Sequence, residues 1–126
     1  MIGTPARAQG PGGSKCTMWR VQALSVASDS VLLTLGLVMA PDGKSWVMKL
    51  PDRAPVTARV LTMGGDSMVA EAGPFPSVLS PASIVTRMRL TAHVYNKKDM
   101  RGSFEARYEM GDPMRGRIRG SCADKK

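Results

Sequence analysis

The sequence holds one histidine and two cysteines in 126 residues, with two each of Trp, Tyr and Phe. A lone His93 with no C-x-x-C pair excludes the usual zinc arrangements. It also leaves no Ser/His/Asp or Cys/His set that spacing alone would assemble, and the acids form no pair of the glycosidase kind. No metal, no cofactor and no enzymatic activity are therefore expected. Long apolar runs are missing too. The greasiest stretch, "VLLTLGLVMA" from Val31 to Ala40, falls short of the roughly 18–20 residues that a membrane-spanning helix needs. No stretch of ten residues has convincing helical periodicity.

Positive charge is abundant. Eighteen Lys and Arg face ten Asp and Glu, giving a formal net charge of +8. Residues 84–126 carry 11 basic and 5 acidic side chains, so +6 of the +8 sits in the last third of the chain. Eleven of the cations are arginine, whose planar fork suits bidentate pairing with carboxylate or phosphate. Such a balance points to anionic partners.

Residues 1–15 are rich in Gly, Pro and Ala and read as a flexible tail. Within it, Ala6-Arg7-Ala8 before Gln9 has the small-x-small form of a secretory cleavage site, so the tail reads either as a signal remnant or as an ordinary leader. From Thr17 the pattern changes to period two, as in strands with one dry face. Trp19, Val21 and Ala23 alternate with Arg20 and Gln22. Val31, Leu33, Leu35 and Leu37 share a side, as do Trp46, Met48 and Leu50. "VTARVLTM" and "SMVAEA" flank a "GGD" turn, and "IVTRMRLTAHVY", "RGSFEARY" and "MRGRIRGSC" complete eight strands joined by short turns. An antiparallel meander over residues 16–122 follows, closed into a small up-and-down barrel, with a two-sheet sandwich as the alternative. Residues 123–126 form a short tail.

Cys16 precedes the first strand and Cys122 ends the last. In a closed meander of even strand number these ends meet, so a Cys16–Cys122 disulfide is expected, together with an oxidising, periplasmic or otherwise extracytoplasmic setting. A pair of free thiols in a cytoplasmic protein is the alternative.

The last three strands set arginines at alternate positions. Arg87, Arg89, Arg101, Arg107, Arg115, Arg117 and Arg119 all share the outward parity, and Arg20 extends them if the first and last strands are neighbours. The simplest hairpins place Arg87, Arg107 and Arg115 in one row and Arg89, Glu105 and Arg117 in the next, with Glu105 able to pair with two of them. Gly102, Gly116 and Gly120 point inward, leaving room either for Trp19 and Trp46 or for a cavity. Met48, Met68 and Met88 share the inward parity and read as core. In "GPFPSVLSP", the segment Pro74-Phe75-Pro76 is a stiff apolar projection that suits a plug, a ligand lid or a partner contact.

The run "WRVQAL…DSVLLTL…W…LPDRAPVTARV…GDSMVAEAGPFPSVL…SFEARY" resembles small exported bacterial β-barrel domains of uncharacterised function, lipocalin-like in layout. The Gly-x-Trp of lipocalins is not present, since Thr17-Met18 precedes Trp19. The arginine face is thus expected to dock, without catalysis, onto an acidic protein or onto anionic lipid headgroups. An accessory subunit of a membrane-bound respiratory or photosynthetic complex would suit that role. The alternative is a carrier of a small apolar ligand. Nucleic acid is disfavoured, because Tyr95 is the one outward aromatic that could stack a base.

Overall fold

A computed structural model describes residues 16–40, 44–51, 53–78 and 82–123. The expected tail over 1–15, the turn at 41–43 and the last three residues lie outside the described residues. Nine strands form one antiparallel sheet: β1 (Met18–Ser25), β2 (Val31–Met39), β3 (Ser45–Lys49), β4 (Val56–Gly64), β5 (Ser67–Ala72), β6 (Phe75–Pro76), β7 (Ile84–Tyr95), β8 (Asp99–Tyr108) and β9 (Met114–Cys122). The order is β5-β4-β3-β2-β1-β9-β8-β7-β6, and β5 also pairs with β7. That last pairing rolls the meander into a closed eight-stranded barrel, and β6 adds a two-residue strand outside the ring. Closure removes the exposed edges that an open meander would present.

The sequence reads "GPFPSVLSPAS" as one long irregular connection. Instead, Phe75 and Pro76 pair with Val85 and Ile84 of β7. Pro76 has no N–H to donate, which suits a strand that stops after two residues at the edge.

The alternation read from the sequence sets the core. Trp19, Val21, Leu37, Trp46, Met48, Met68 and Met100 are fully buried inside the barrel. Each tryptophan removes roughly 150–250 Å² from water, about 4–6 kcal/mol at 25 cal/mol per Å². Their indole Nε1 atoms find no acceptor among the described residues. The cost of such a buried donor, about 1–3 kcal/mol, is smaller than the gain from the ring.

These residues fill the end of the barrel where β1 starts and β9 finishes. Toward the other end lies an apolar cavity of about 80 Å³, lined by Val21, Leu35, Leu90, Phe104 and Ile118 among others, with Phe75 and Val78 over it. An unfilled volume of that size forfeits about 2 kcal/mol of packing at about 24 cal/mol per Å³. The inward glycines serve close approach rather than space for the tryptophans. A Cβ on Gly116 would meet the Phe104 ring and lie 2.5 Å from the Leu24 carbonyl oxygen, and one on Gly102 would run into the Thr91 backbone. Phe104 sits directly across from Gly116 and covers it.

β1 pairs with β9, with Trp19 opposite Cys122. Cys16 and Cys122 are disulfide-bonded, with Cα atoms 5.9 Å apart at a sequence separation of 106. The strands around the bond are already tied by Ala123 N–H donating to the Met18 carbonyl at 2.8 Å and Met39 N–H to the Thr17 carbonyl at 2.8 Å. Replacing both cysteines with alanine should therefore lower stability by about 4–5 kcal/mol, the chain-entropy value for so long a loop, and leave the strand circular dichroism unchanged. Two free thiols in non-reducing mass spectrometry of the oxidatively expressed protein would contradict the bond itself.

Candidate functional site: an arginine-bearing wall

Strands β7, β8, β9 and β1 are consecutive around the barrel. Because side chains alternate across a strand, the arginines of all four leave the same outer wall. Arg20, Arg87, Arg89, Arg101, Arg107, Arg115, Arg117 and Arg119 are all exposed. Sequence parity thus placed every one of them on the correct face.

Their rows differ in part from the simplest hairpin reading. Arg87 is opposite Arg107 and Arg89 is opposite Glu105, as expected. Between β8 and β9 the register is offset by two residues, so Glu105 faces Arg115, Ser103 faces Arg117 and Arg101 faces Arg119. The cause is that the end of β8 stays with β7: Tyr108 pairs with Val85, and Glu109 N–H donates to the Ile84 carbonyl at 3.1 Å. Pairing between β8 and β9 consequently ends at Ala106 and Met114, and Arg107 and Tyr108 pair with β7 alone before the turn, where Gly111 has φ 96°.

Three carboxylates compensate part of this wall. Glu71, on β5, reaches Arg89 at 3.0 Å and Arg59 and Arg87 at 4.0 Å each. Glu105 accepts from Arg115 Nε at 2.7 Å and Arg107 Nε at 3.1 Å. Asp29 pairs with Arg117 from the β1–β2 turn. Hydrogen bonding by Arg115 is the largest influence and, helped by Arg107, holds the Glu105 carboxyl below its ordinary value of 4.5 although desolvation opposes it. The part played by Glu71 was missed in the sequence. Its outward parity in "SMVAEA" was visible, but its nearness to Arg87 and Arg89 depends on β5 pairing with β7 across the proline-rich connection.

The other half of the wall has no such compensation. Reading across the sheet, Tyr95, Asp99, Ser121 and Arg20 form one row, and His93, Arg101, Arg119 and Gln22 the next. Among the described residues neither Arg20 nor Arg101 has an ion pair, and Arg119 donates its Nε–H to Gln22 Oε1 at 2.8 Å. Arg20, Gln22, Asp99, Arg101, Arg119 and Ser121 surround a surface hollow of about 320 Å³. Two arginines directly opposite on neighbouring strands are unfavourable.

His93 does acquire polar neighbours. Ser67 Oγ lies 2.8 Å from its Nδ1, and Asp66 Oδ1 lies 3.9 Å from the same nitrogen. A catalytic relay needs the acid and the nucleophile on opposite ring nitrogens, so this cluster lacks that geometry. No group of three or more metal-ligating side chains is present among the described residues. No helix of the described chain is long and apolar enough to cross a membrane. Phe75 is half-buried and Pro74 and Pro76 are exposed, with Arg53 Nη1 donating to the Pro76 carbonyl at 2.6 Å.

The depressed Glu105 pKa has a definite sign in acid. Its contribution to stability is complete above the unfolded-state value and disappears as pH falls through the lower folded-state value. The stability difference between wild type and Glu105→Gln should be constant above about pH 5 and shrink steadily below it. Urea-unfolding midpoints across the acid range check this, and a difference that grows in acid would contradict it. No family model matches the chain, and neither a curated protein nor a solved structure matches it.

Proposed function

We propose that the protein is a non-catalytic docking module that binds an acidic protein surface through the outer wall of β7, β8, β9 and β1. The observation that carries this reading is the charge left over on that wall. Of the eight exposed arginines, five ion-pair with Glu71, Glu105 or Asp29, and the other three, Arg20, Arg101 and Arg119, have no ion pair among the described residues. Arginine and tyrosine are the residue types enriched at binding hot spots, and Tyr95, 47 % exposed, lies in the same row as Arg20. A protein surface of mixed charge also suits the carboxylates set among the arginines. The disulfide supports an oxidising, periplasmic-type compartment, and the role we propose there is that of an accessory subunit of a membrane-bound assembly.

The apolar cavity favours a second reading, a carrier of a small apolar ligand. Its volume of about 80 Å³ lies well under the roughly 300–1,000 Å³ of ordinary ligand pockets, so docking is the better supported of the two.

One set of variants separates the readings. Capture of the partner from native membrane extracts should weaken steeply with salt, because exposed charges are screened within about 8 Å at physiological ionic strength. It should be lost in the Arg20→Glu/Arg101→Glu/Arg119→Glu protein, whose thermal unfolding shows an intact fold, and be retained in Ala106→Leu, which fills the cavity. Undiminished capture by the triple variant refutes docking. Binding of it to phosphatidylglycerol vesicles, with no protein captured and the same arginine dependence, would replace the protein partner with a lipid surface. The carrier reading requires instead that Ala106→Leu abolish uptake of decan-1-ol.

A further inference from the structure

We propose that the hollow between Arg20, Arg101 and Arg119 is a binding site for a tetrahedral oxyanion, a phosphate or sulfate group. The site stands whether or not the wall docks a protein.

The argument starts from cost. Arg101 and Arg119 face each other on β8 and β9, and Arg20 sits diagonally across on β1. Elsewhere on the wall each arginine ion-pairs with a carboxylate of the chain itself. Here none does among the described residues, although Asp99 lines the same hollow. An anion held between the three guanidinium groups removes the repulsion that the fold leaves in place.

The surroundings are those of an anion site. Gln22 takes the Nε–H of Arg119 at 2.8 Å, which fixes the plane of that guanidinium and leaves its four terminal N–H groups to point elsewhere. Ser121 lies between Arg20 and Asp99 in its row, and its short side chain gives the hollow depth and a hydroxyl donor. The Gln22 amide is a further donor. Arginine forks match the paired oxygens of phosphate and sulfate, which favours a tetrahedral oxyanion over a halide. Two further titratable groups are near. Asp99 is one of its lining residues and opposes an anion, and His93 lies beside Arg101 on the neighbouring strand.

The experiment is a titration of the full-length protein with inorganic phosphate and with sulfate, read by the NMR signals of the arginine side chains and the Gly120 and Ser121 amides. Chloride at matched ionic strength is the control. Saturable shifts confined to Arg20, Arg101, Arg119 and their neighbours are expected. Arg101→Gln and Arg119→Gln should each weaken binding about tenfold, the loss of one charge-assisted hydrogen-bonded fork, whereas Arg107→Gln should not. Asp99→Asn should tighten it, a gain that no unfolding artefact can mimic. Inorganic phosphate should bind more tightly as pH rises through its second ionisation, where it takes its second charge, and sulfate has no such step. Co-sedimentation with phosphatidic acid vesicles, abolished by Arg101→Gln, assigns the phosphate to a lipid headgroup, and its absence assigns it to a free phosphate. Equal shifts with chloride, or unchanged affinity in both glutamine variants, would overturn the site.

Discussion

The antiparallel pairing of β1 with β9 is the constraint on which the rest depends. It brings Arg20 and Gln22 beside Ser121 and Arg119, and it sets Cys16 within bonding distance of Cys122. It also turns a charge distribution that is uneven along the chain into one that is uneven around the barrel. Three consecutive strands near the C-terminus carry seven arginines, and closure adds the eighth from the first strand. An open sheet of the same strands would leave β1 and β9 apart and divide the hollow between two edges.

Electrostatics then splits the wall in two. The half held by Glu71, Glu105 and Asp29 consists of exposed ion pairs, each worth only about 0.2–1 kcal/mol, so it adds little net stability, but each of its arginines has a carboxylate within reach. At the other half Arg101 faces Arg119, and two unit charges about 4 Å apart in a water-like dielectric repel by roughly 1 kcal/mol. A barrel with a large buried core tolerates that sum. Groups kept at a cost to stability are where binding is most often found. The unfilled apolar end of the barrel is a second such cost, and it is physically separate, since none of its lining residues is among the eight arginines.

Much of this was legible in the sequence, because strand parity depends only on local alternation. The outward set of arginines, the inward Trp19, Trp46, Met48 and Met68, and the meeting of the two cysteines all follow from alternation plus closure. What alternation cannot supply is register. The offset of two residues between β8 and β9 arises because Tyr108 and Glu109 continue their hydrogen bonds to β7 beyond the point where β9 begins, a choice made by tertiary pairing and not by the turn residues. That offset decides that Glu105 meets Arg115, and so which arginines are left without a carboxylate. Likewise, Glu71 joins the wall only through the β5–β7 pairing, and the short strand at Phe75 exists only because β7 offers it an edge. The cavity was raised by Gly116 and Gly120 for the wrong reason: those glycines admit Phe104 and the β1 backbone, and the unfilled space lies beyond them.

The division of the wall into a compensated and an uncompensated half is the central claim, and stability at low salt tests it most directly. Unfolding free energies of Arg89→Gln and Arg101→Gln, measured in a buffer free of phosphate and sulfate, should move in opposite directions. Removing Arg89 loses its contact with Glu71 and destabilises, whereas removing Arg101 relieves repulsion from Arg119 and stabilises, and both effects should fade as sodium chloride is added. Equal destabilisation by the two substitutions would mean that Arg101 is satisfied within the fold, and the account of an open anion-seeking half would be wrong.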